Sequence, residues 1–331
     1  MHVLVTGGAG YIGSHVVERH LSLGDHVHVV DDLSTGSIDN IRPFIDHPKF
    51  RFEEADLLTW GAIDKVATWA DRVYHLAAVV GVYRVIAEPT KVLATNIAGC
   101  ERLLRAIAAG SWKPQVVIAS SSEVYGHNEI GVLSEDMDLC VSTRAGTRWN
   151  YSVSKIADEA LGMSYARKHG IPVVLGRFFN TVGPRQTGRY GMVLPRFVAQ
   201  AVRGEPITIY GSGAQTRSFC DVRDTVVALD LLAQHASPDG LVVNVGNDQE
   251  VTIRHLAELV LARAQSHSPI QQQSYREAYG EDFEDIQRRR PMLNRLRTLT
   301  GFQHAYPLAR TIDDLVEIAR AQLGVRTAVA A

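Results

Sequence analysis

Residues 6–13 read Thr-Gly-Gly-Ala-Gly-Tyr-Ile-Gly, and they sit between two patterns that demand a sharp reversal of the chain. Before them, His2–Thr6 is a short run rich in β-branched residues; after them, Tyr11–Leu23 carries apolar residues at helical spacing. A strand, a glycine-rich turn and a helix in that order leave free backbone N–H groups and the positive end of the helix dipole at the turn, a ready site for a phosphate. The glycines Gly7, Gly10 and Gly13 allow the tight turn, a close backbone approach to the anion and close helix–strand packing, in that order. A second β-branched run, His26–Val30, follows and ends in Asp31-Asp32, so the segment is one βαβ unit.

The alternation continues. Strand-like runs occur at Phe50–Glu53, Arg72–Leu76, Gln115–Ala119 and Pro172–Arg177, with helical patterns between them, notably Lys91–Ala109 and Tyr151–His169. Alternating β and α predicts an α/β fold, a Rossmann-type doubly wound parallel sheet covered on both faces. Beyond about residue 178 the pattern changes to a loop with Gly183-Pro184, a helix over Val193–Arg203, a short strand at Ile207–Tyr210 and a turn at Gly211–Gly213. A helix over Thr225–Ala236, a strand at Leu241–Val245, a helix from the Thr252 cap to Ala264 and a last helix over Thr311–Gln322 complete the reading. Residues 266–292 are polar and show no clear period, and 325–331 read as a frayed tail. The expected organisation is interleaved. A cofactor-binding part takes residues 1–178 plus 218–246, and a smaller mixed α/β substrate-binding cap takes 179–217 plus 247–331.

Asp31 lies 31 − 13 = 18 residues beyond Gly13, near the spacing at which an acid meets the ribose of a dinucleotide. A carboxylate there accepts hydrogen bonds from the 2′- and 3′-hydroxyls and repels a 2′-phosphate, and no arginine follows it at once. NAD is therefore expected in preference to NADP. Asp56 and Leu57, just after the third strand, are placed to flank the adenine.

Composition narrows the partners. With 34 Lys+Arg against 36 Asp+Glu the formal net charge is −2, wrong for a protein that coats nucleic acid. Apolar residues make up 46% and charged residues 21% of the 331, which suits a globular chain able to bury a large core without metals or disulfides. The three cysteines, Cys100, Cys140 and Cys220, show no disulfide or zinc spacing, so no metal and a reducing, cytoplasmic setting are expected. No secretory leader is read at the N-terminus and no membrane span elsewhere.

Tyr151-Ser152-Val153-Ser154-Lys155 places a phenol and an ammonium four residues apart on one helix face. A phenol ionises near 10, and a neighbouring ammonium favours the phenolate, so Tyr151 is a candidate base. Ser121 ends the fifth strand, at the carboxyl edge where sheets of this class carry their chemistry.

These features together resemble the extended short-chain dehydrogenase/reductases, in the branch that modifies nucleotide sugars. The resemblance spans roughly 1–323 and is carried by TGGAGYIGS at 6–14, His75-Leu76-Ala77-Ala78, Asn96, SSSEVYG at 120–126, YSVSK at 151–155, RFFNTVGPR at 177–185 and YGSGAQTRSF at 210–219. It implies hydride transfer at the sugar C4 by Ser121, Tyr151 and Lys155. It adds Tyr11, Ile12, Asp32, Leu33, Ser34, Leu76, Ala77, Ala78, Asn96 and Phe178 to the NAD contacts. Ser122, Asn180, Arg185, Val193, Tyr210 and Arg217 would bind the UDP-sugar, with Arg84 as a candidate partner for a uronate. A homodimer through the helices matching 91–109 and 151–169 is also implied.

Three reactions can follow C4 oxidation: return of hydride to the other face, loss of CO₂ from a uronic acid, or loss of water across C5–C6. Glu123 directs the expectation. Decarboxylases of the family carry a glutamate there, whereas Ser122 stands where dTDP-glucose dehydratases have an acid. Arg148-Trp149, the run from Tyr279 to Asp285, and Arg289 two residues before Pro291 resemble the bacterial UDP-glucuronate oxidative decarboxylase and the plant UDP-apiose/UDP-xylose synthase. An arginine at 289 would hold the sugar carboxylate or protonate the enolate. The segment Ala78–Arg84 and the Phe179-Asn180-Thr181 run depart from those decarboxylases, and the former looks more like UDP-sugar 4-epimerases. The leading expectation is a UDP-glucuronate (hexuronate) decarboxylase, the alternatives a UDP-sugar 4-epimerase and then a 4,6-dehydratase.

Overall fold

The computed structural model describes residues 1–81, 85, 87–128, 131–142, 149–188, 192–279 and 286–324. Its centre is a seven-stranded sheet in which every pairing is parallel. The strands are β1 (His2–Thr6), β2 (His26–Asp31), β3 (Phe50–Glu54), β4 (Arg72–His75), β5 (Gln115–Ser121), β6 (Val173–Phe178) and, last in the chain, Leu241–Val245. Across the sheet the order is Leu241–Val245, β6, β5, β4, β1, β2, β3. The chain runs outward from β1 through β2 to β3, then returns to β4 on the other side of β1. That reversal opens a crevice at the carboxyl ends of β1 and β4, where ligands of such sheets bind.

The period-two pattern within each strand assigns its side chains to the two faces. Val3 and Val5 of β1, Val27 and Val29 of β2 and Val117 of β5 pack with Val16 and Val17 of the helix α1 (Tyr11–Ser22) and with Val226, Leu229 and Leu232 of the helix Val222–Ala233. The alternate residues Leu4, Val30, Val116 and Ile118 pack on the opposite face with Leu103, Leu104 and Ile107 of the helix Pro89–Ala109 and with Ala166 of the helix Asn150–His169. The inner strands are thus buried on both sides, as a doubly wound sheet requires, while the edge strand β3 is only partly covered.

A third apolar cluster lies outside this sandwich. Leu194, Phe197 and Val198 of the helix Val193–Arg203, Ile207 and Ile209 of the strand Ile207–Tyr210, Leu256 and Val260 of the helix Ile253–Ala264, and Ile312 and Leu315 of the helix Leu308–Gln322 form it. Two small sheets edge this cap. Ile207–Tyr210 pairs in parallel with Ile270–Gln273, and Thr216–Ser218 sits between Glu250–Thr252 and Arg288–Arg289.

Some boundaries differ from the sequence reading. The helix expected from Thr225 starts at Val222, because the Asp221 side chain accepts from the Arg223 N–H and caps it one turn earlier. The last helix likewise starts at Leu308. The stretch 266–292 is not structureless: it contributes the strands Ile270–Gln273 and Arg288–Arg289 and the short helix Tyr275–Tyr279. A two-residue strand has no period to read. The tail 325–331 lies outside the described residues, and among those described no helix is long and apolar enough to cross a membrane.

Candidate active site

A cleft of about 1460 Å³ runs along the carboxyl ends of β1, β4 and β5 and under the cap. Its floor at one end is the glycine turn. Gly7 has φ +74°, and a Cβ there would stand 2.7 Å from the Ala77 nitrogen, so the turn after β1 packs directly on the turn after β4. A Cβ on Gly13 would collide with the Gly7 carbonyl oxygen. Gly10 caps α1 with extended backbone and no side-chain acceptor, which leaves the first N–H groups of the helix facing the cleft with no side-chain cap. Gly10, Tyr11 and Ile12 line it beside them.

Asp31 ends β2 beside this turn and is 8% exposed. Its Oδ2 accepts from the Ala9 N–H at 3.0 Å and its Oδ1 from the Leu33 N–H at 2.9 Å. Burial raises its pKa, and those two backbone donors pull it back. A carboxylate has about four acceptor sites, so it keeps capacity for the hydroxyls of a ribose. Leu33 itself does not line the cleft; it holds a left-handed φ of 57° and supplies the turn. Asp32, Ser34, Asp56 and Leu57 continue the wall from β2 to β3, and Leu76, Ala77 and Ala78 form the wall after β4. Asn96 ties that wall down. Its Oδ1 accepts from Val79 N–H at 2.7 Å, and its Nδ2 donates to the Ser154 hydroxyl at 3.1 Å. The residues present therefore fit a dinucleotide: a side-chain-free cradle for its phosphates and a buried acid for its ribose.

Ser121, Tyr151 and Lys155 come together in the middle of the cleft. Ser121 hydrogen-bonds the Tyr151 phenol. Burial raises the phenol pKa, the Lys155 ammonium lowers it, and Glu123 and Asp158 raise it; the net shift is upward. Lys155 Nζ donates to Asp158 Oδ2 at 3.0 Å. Burial alone would lower the lysine pKa, but Asp158 and Tyr151 reverse this and the net shift is upward.

Beyond the triad the chain turns through the 3-10 helix Ser122–Tyr125, with Ser122 buried and Glu123 directed to the cap. Arg289 Nη1 donates to Glu123 Oε1 at 2.7 Å. Arg289 reaches this place because Arg288–Arg289 pairs with Thr216–Ser218 in a register that sets Arg289 beside Arg217. Both arginines line the cleft. Asn180 lines it too and donates to the Ser218 carbonyl at 2.9 Å. Phe178, Val193 and Tyr210 complete the expected wall, and Arg196 stacks over the Tyr210 ring at 4.1 Å. Arg185 lies at the margin near α1, its guanidinium paired with Glu18 at 2.6 Å.

The expected residues thus converge, apart from Leu33, which shapes a turn, and Arg84, which lies outside the described residues together with Arg148 and 280–285. Three groups escaped the sequence reading. Asp158 sits one turn beyond Lys155 among the buried residues of its helix, and the sequence carries no signal of that burial. Glu159 accepts from the Ser120 hydroxyl at 2.6 Å and pairs with Arg177 at 2.8 Å, fixing the end of β5 from behind. Gln215 donates to the Tyr275 hydroxyl at 2.8 Å inside the cleft, a contact between segments too far apart to pair by spacing.

Comparison with known proteins fits this geometry. Residues 3–246 match the family described as the NAD dependent epimerase/dehydratase family. A UDP-N-acetyl-alpha-D-glucosaminuronate decarboxylase of Bacillus cytotoxicus is 33% identical over 300 residues, covering 90% of this chain and 91% of that protein. A UDP-glucuronic acid decarboxylase 6 of Arabidopsis thaliana is 33% identical over 326 residues, covering 98% of this chain and 90% of that protein. Among solved structures, a UDP-glucuronic acid 4-epimerase of Bacillus cereus, in complex with UDP-glucuronic acid and NAD, superposes with a TM-score of 0.86 at 25% identity, covering 97% of this chain and 100% of the other.

Proposed function

The chain belongs to the NAD dependent epimerase/dehydratase family, and from that premise we propose that it decarboxylates a UDP-hexuronate after oxidation at C4. The observation that carries the reading is the Glu123–Arg289 pair beside Ser121 and Tyr151, a cation and an acid where the C6 group of a C4-bound sugar would lie. The curated relatives named for uronate decarboxylation support it.

NAD held by the glycine turn, Asp31 and Lys155 would supply the hydride acceptor that oxidises C4 and later returns the hydride. Tyr151 takes the C4 hydroxyl proton, helped by the positive charge of Lys155, and Ser121 holds the same oxygen. A keto group at C4 makes the C6 carboxylate a β-keto acid, which loses CO₂ because the electron pair left at C5 spreads onto the C4 oxygen. Arg289 spends one N–H on Glu123 and keeps others for the sugar carboxylate or for the proton that C5 must regain. Arg217 and Asn180 hold the diphosphate, with Arg217 suited to bidentate contact. The division into 1–178 plus 218–246 and 179–217 plus 247–331 belongs to this reading, as do a homodimer and a cytoplasmic setting.

The test is chromatography that separates C4 epimers, coupled to mass spectrometry, of the products that the purified protein forms from UDP-glucuronate and, separately, from UDP-N-acetylglucosaminuronate. The expected result is CO₂ and the sugar nucleotide shortened at C6. The likeness to the UDP-glucuronic acid 4-epimerase defines the rival. Conversion of UDP-glucuronate to UDP-galacturonate with no pentose product overturns decarboxylation in its favour.

A further inference from the structure

Lys155 and Asp158 form an ion pair with side chains only 3% and 1% exposed, one helical turn apart on Asn150–His169. A buried ammonium is held charged only by a partner, because burial favours the neutral amine. Asp158 is that partner, at 3.0 Å from the ammonium. The pair uses one of three N–H donors, so two remain for the cleft that Lys155 lines. Across from them the Cys100 thiol of Pro89–Ala109 bears on the Asp158 carboxylate, and burial with that negative charge pushes the thiol well above its usual range.

We propose that Asp158 is a positioning residue for the reaction: it keeps the Lys155 ammonium charged and fixed beside Tyr151. The proposal rests on the reading of Tyr151 as the base at C4. Its opposing effect on the phenol is the cost of the arrangement, since the carboxylate also disfavours phenolate; Lys155 is the larger influence of the two. The titratable groups around the pair come from each packed element: Tyr151 and Glu159 from the same helix, Cys100 and Glu101 from Pro89–Ala109, His75 from β4 and Glu123 from the turn after β5.

The test compares wild type, Asp158→Asn and Asp158→Glu. In Asp158→Asn the lysine titrates within the working range, so kcat falls on the alkaline side of the pH profile while KM stays within about twofold. Asp158→Glu, which keeps the charge, recovers the alkaline activity. A profile for Asp158→Asn that superimposes on wild type, or that drops by the same factor at every pH, overturns the proposal. A second measurement needs no turnover: acylation of Lys155 in the purified protein, read by mass spectrometry. Near pH 8 the rate rises about tenfold or more in Asp158→Asn, one decade for each unit by which the lysine pKa falls, and stays at the wild-type level in Asp158→Glu. Equal rates in all three proteins overturn the proposal. If no uronate is converted even by wild type, the function reading fails while the labelling result still decides the role of Asp158.

Discussion

Arg289 and Glu123 lie 166 residues apart in sequence and meet at 2.7 Å in the cleft. The guanidinium is 8% exposed and the carboxylate 28%. Two elements bring them together: a two-residue strand that lays Arg289 beside Arg217, and a 3-10 turn after β5 that carries Glu123 off the end of the sheet. A charge pair of this kind, one partner nearly enclosed, holds the guanidinium plane in one orientation before any substrate arrives.

Arg289→Ala is therefore expected to slow CO₂ release by about a hundredfold or more, the scale of losing one preorganised charge at a reacting centre. Arg289→Lys restores little, because an ammonium lacks the planar fork. Glu123→Ala leaves the guanidinium without this partner and costs about 1–2 kcal/mol of stability, less than a fully buried pair because Glu123 is partly solvated. Rates of CO₂ release with thermal melts of each variant check both statements; an Arg289→Ala enzyme as fast as wild type rules out its role at the carboxylate.

Asp31 leads to a prediction about cofactor choice. Its carboxylate stands at the end of β2 with both oxygens already anchored by backbone N–H groups, so it presents a fixed negative charge to the ribose site. Asp31→Ala is expected to weaken NAD binding about ten- to a hundredfold, the worth of hydrogen bonds to one charged acceptor, and to narrow the gap between NAD and NADP. Calorimetric titration with each dinucleotide reads this directly. Unchanged affinity for NAD means that the ribose is held elsewhere.

Much of this was legible in the residues because it is local. The turn at 6–13 announced itself by glycines whose missing Cβ atoms the fold needs, at Gly7 against Ala77 and at Gly13 against the Gly7 carbonyl. The sheet was legible because valines two apart must face the same side, and Leu241–Val245 was legible as one more buried strand, although its place beside β6 was not. The Arg289–Glu123 contact was not, although both residues were singled out, because it depends on a two-residue strand with no periodicity. Asp158 escaped for another reason. An acid in a helix interior reads as solvated unless the burial of its neighbours is known, and here the side chain is 1% exposed.

His75 bears on acid stability. It is 2% exposed, its Nδ1 is 2.8 Å from the Thr6 hydroxyl, and burial, with a smaller push from Lys155, drives its pKa to about 3. The unfolded chain takes up this proton near 6.5 and the folded protein does not, so the unfolded state binds more protons below that pH. The stability in question is present above about 6.5 and is lost as pH falls toward 3, at up to about 1.4 kcal/mol per pH unit. His15, His20 and His28 are also shifted downward, mainly by burial, and act in the same direction. Denaturant melts between about pH 6 and 4.5 are expected to show a shallower loss in His75→Asn than in wild type, by about 1 kcal/mol per pH unit. Parallel slopes are incompatible with a neutral His75 in the fold.

Tyr151 and Lys155 set the pH dependence of the reaction itself. The phenol must be ionised to accept the C4 proton, and burial holds its pKa above the ordinary value even after the opposing effect of Lys155. The rate at saturating substrate is therefore expected to rise with pH until the phenolate is fully formed. Tyr151→Phe removes the acceptor and should lower kcat by about 10²–10⁴-fold with little change in KM. Lys155→Met removes the largest influence favouring phenolate, so the phenol pKa rises and the ascending limb moves to higher pH. At a fixed pH on that limb each unit of displacement costs about a factor of ten in rate. The measurement is kcat against pH for the three proteins. A Lys155→Met profile that is lowered but keeps its limb at the wild-type pH would assign the lysine to cofactor binding alone and leave the phenol to be ionised by other means.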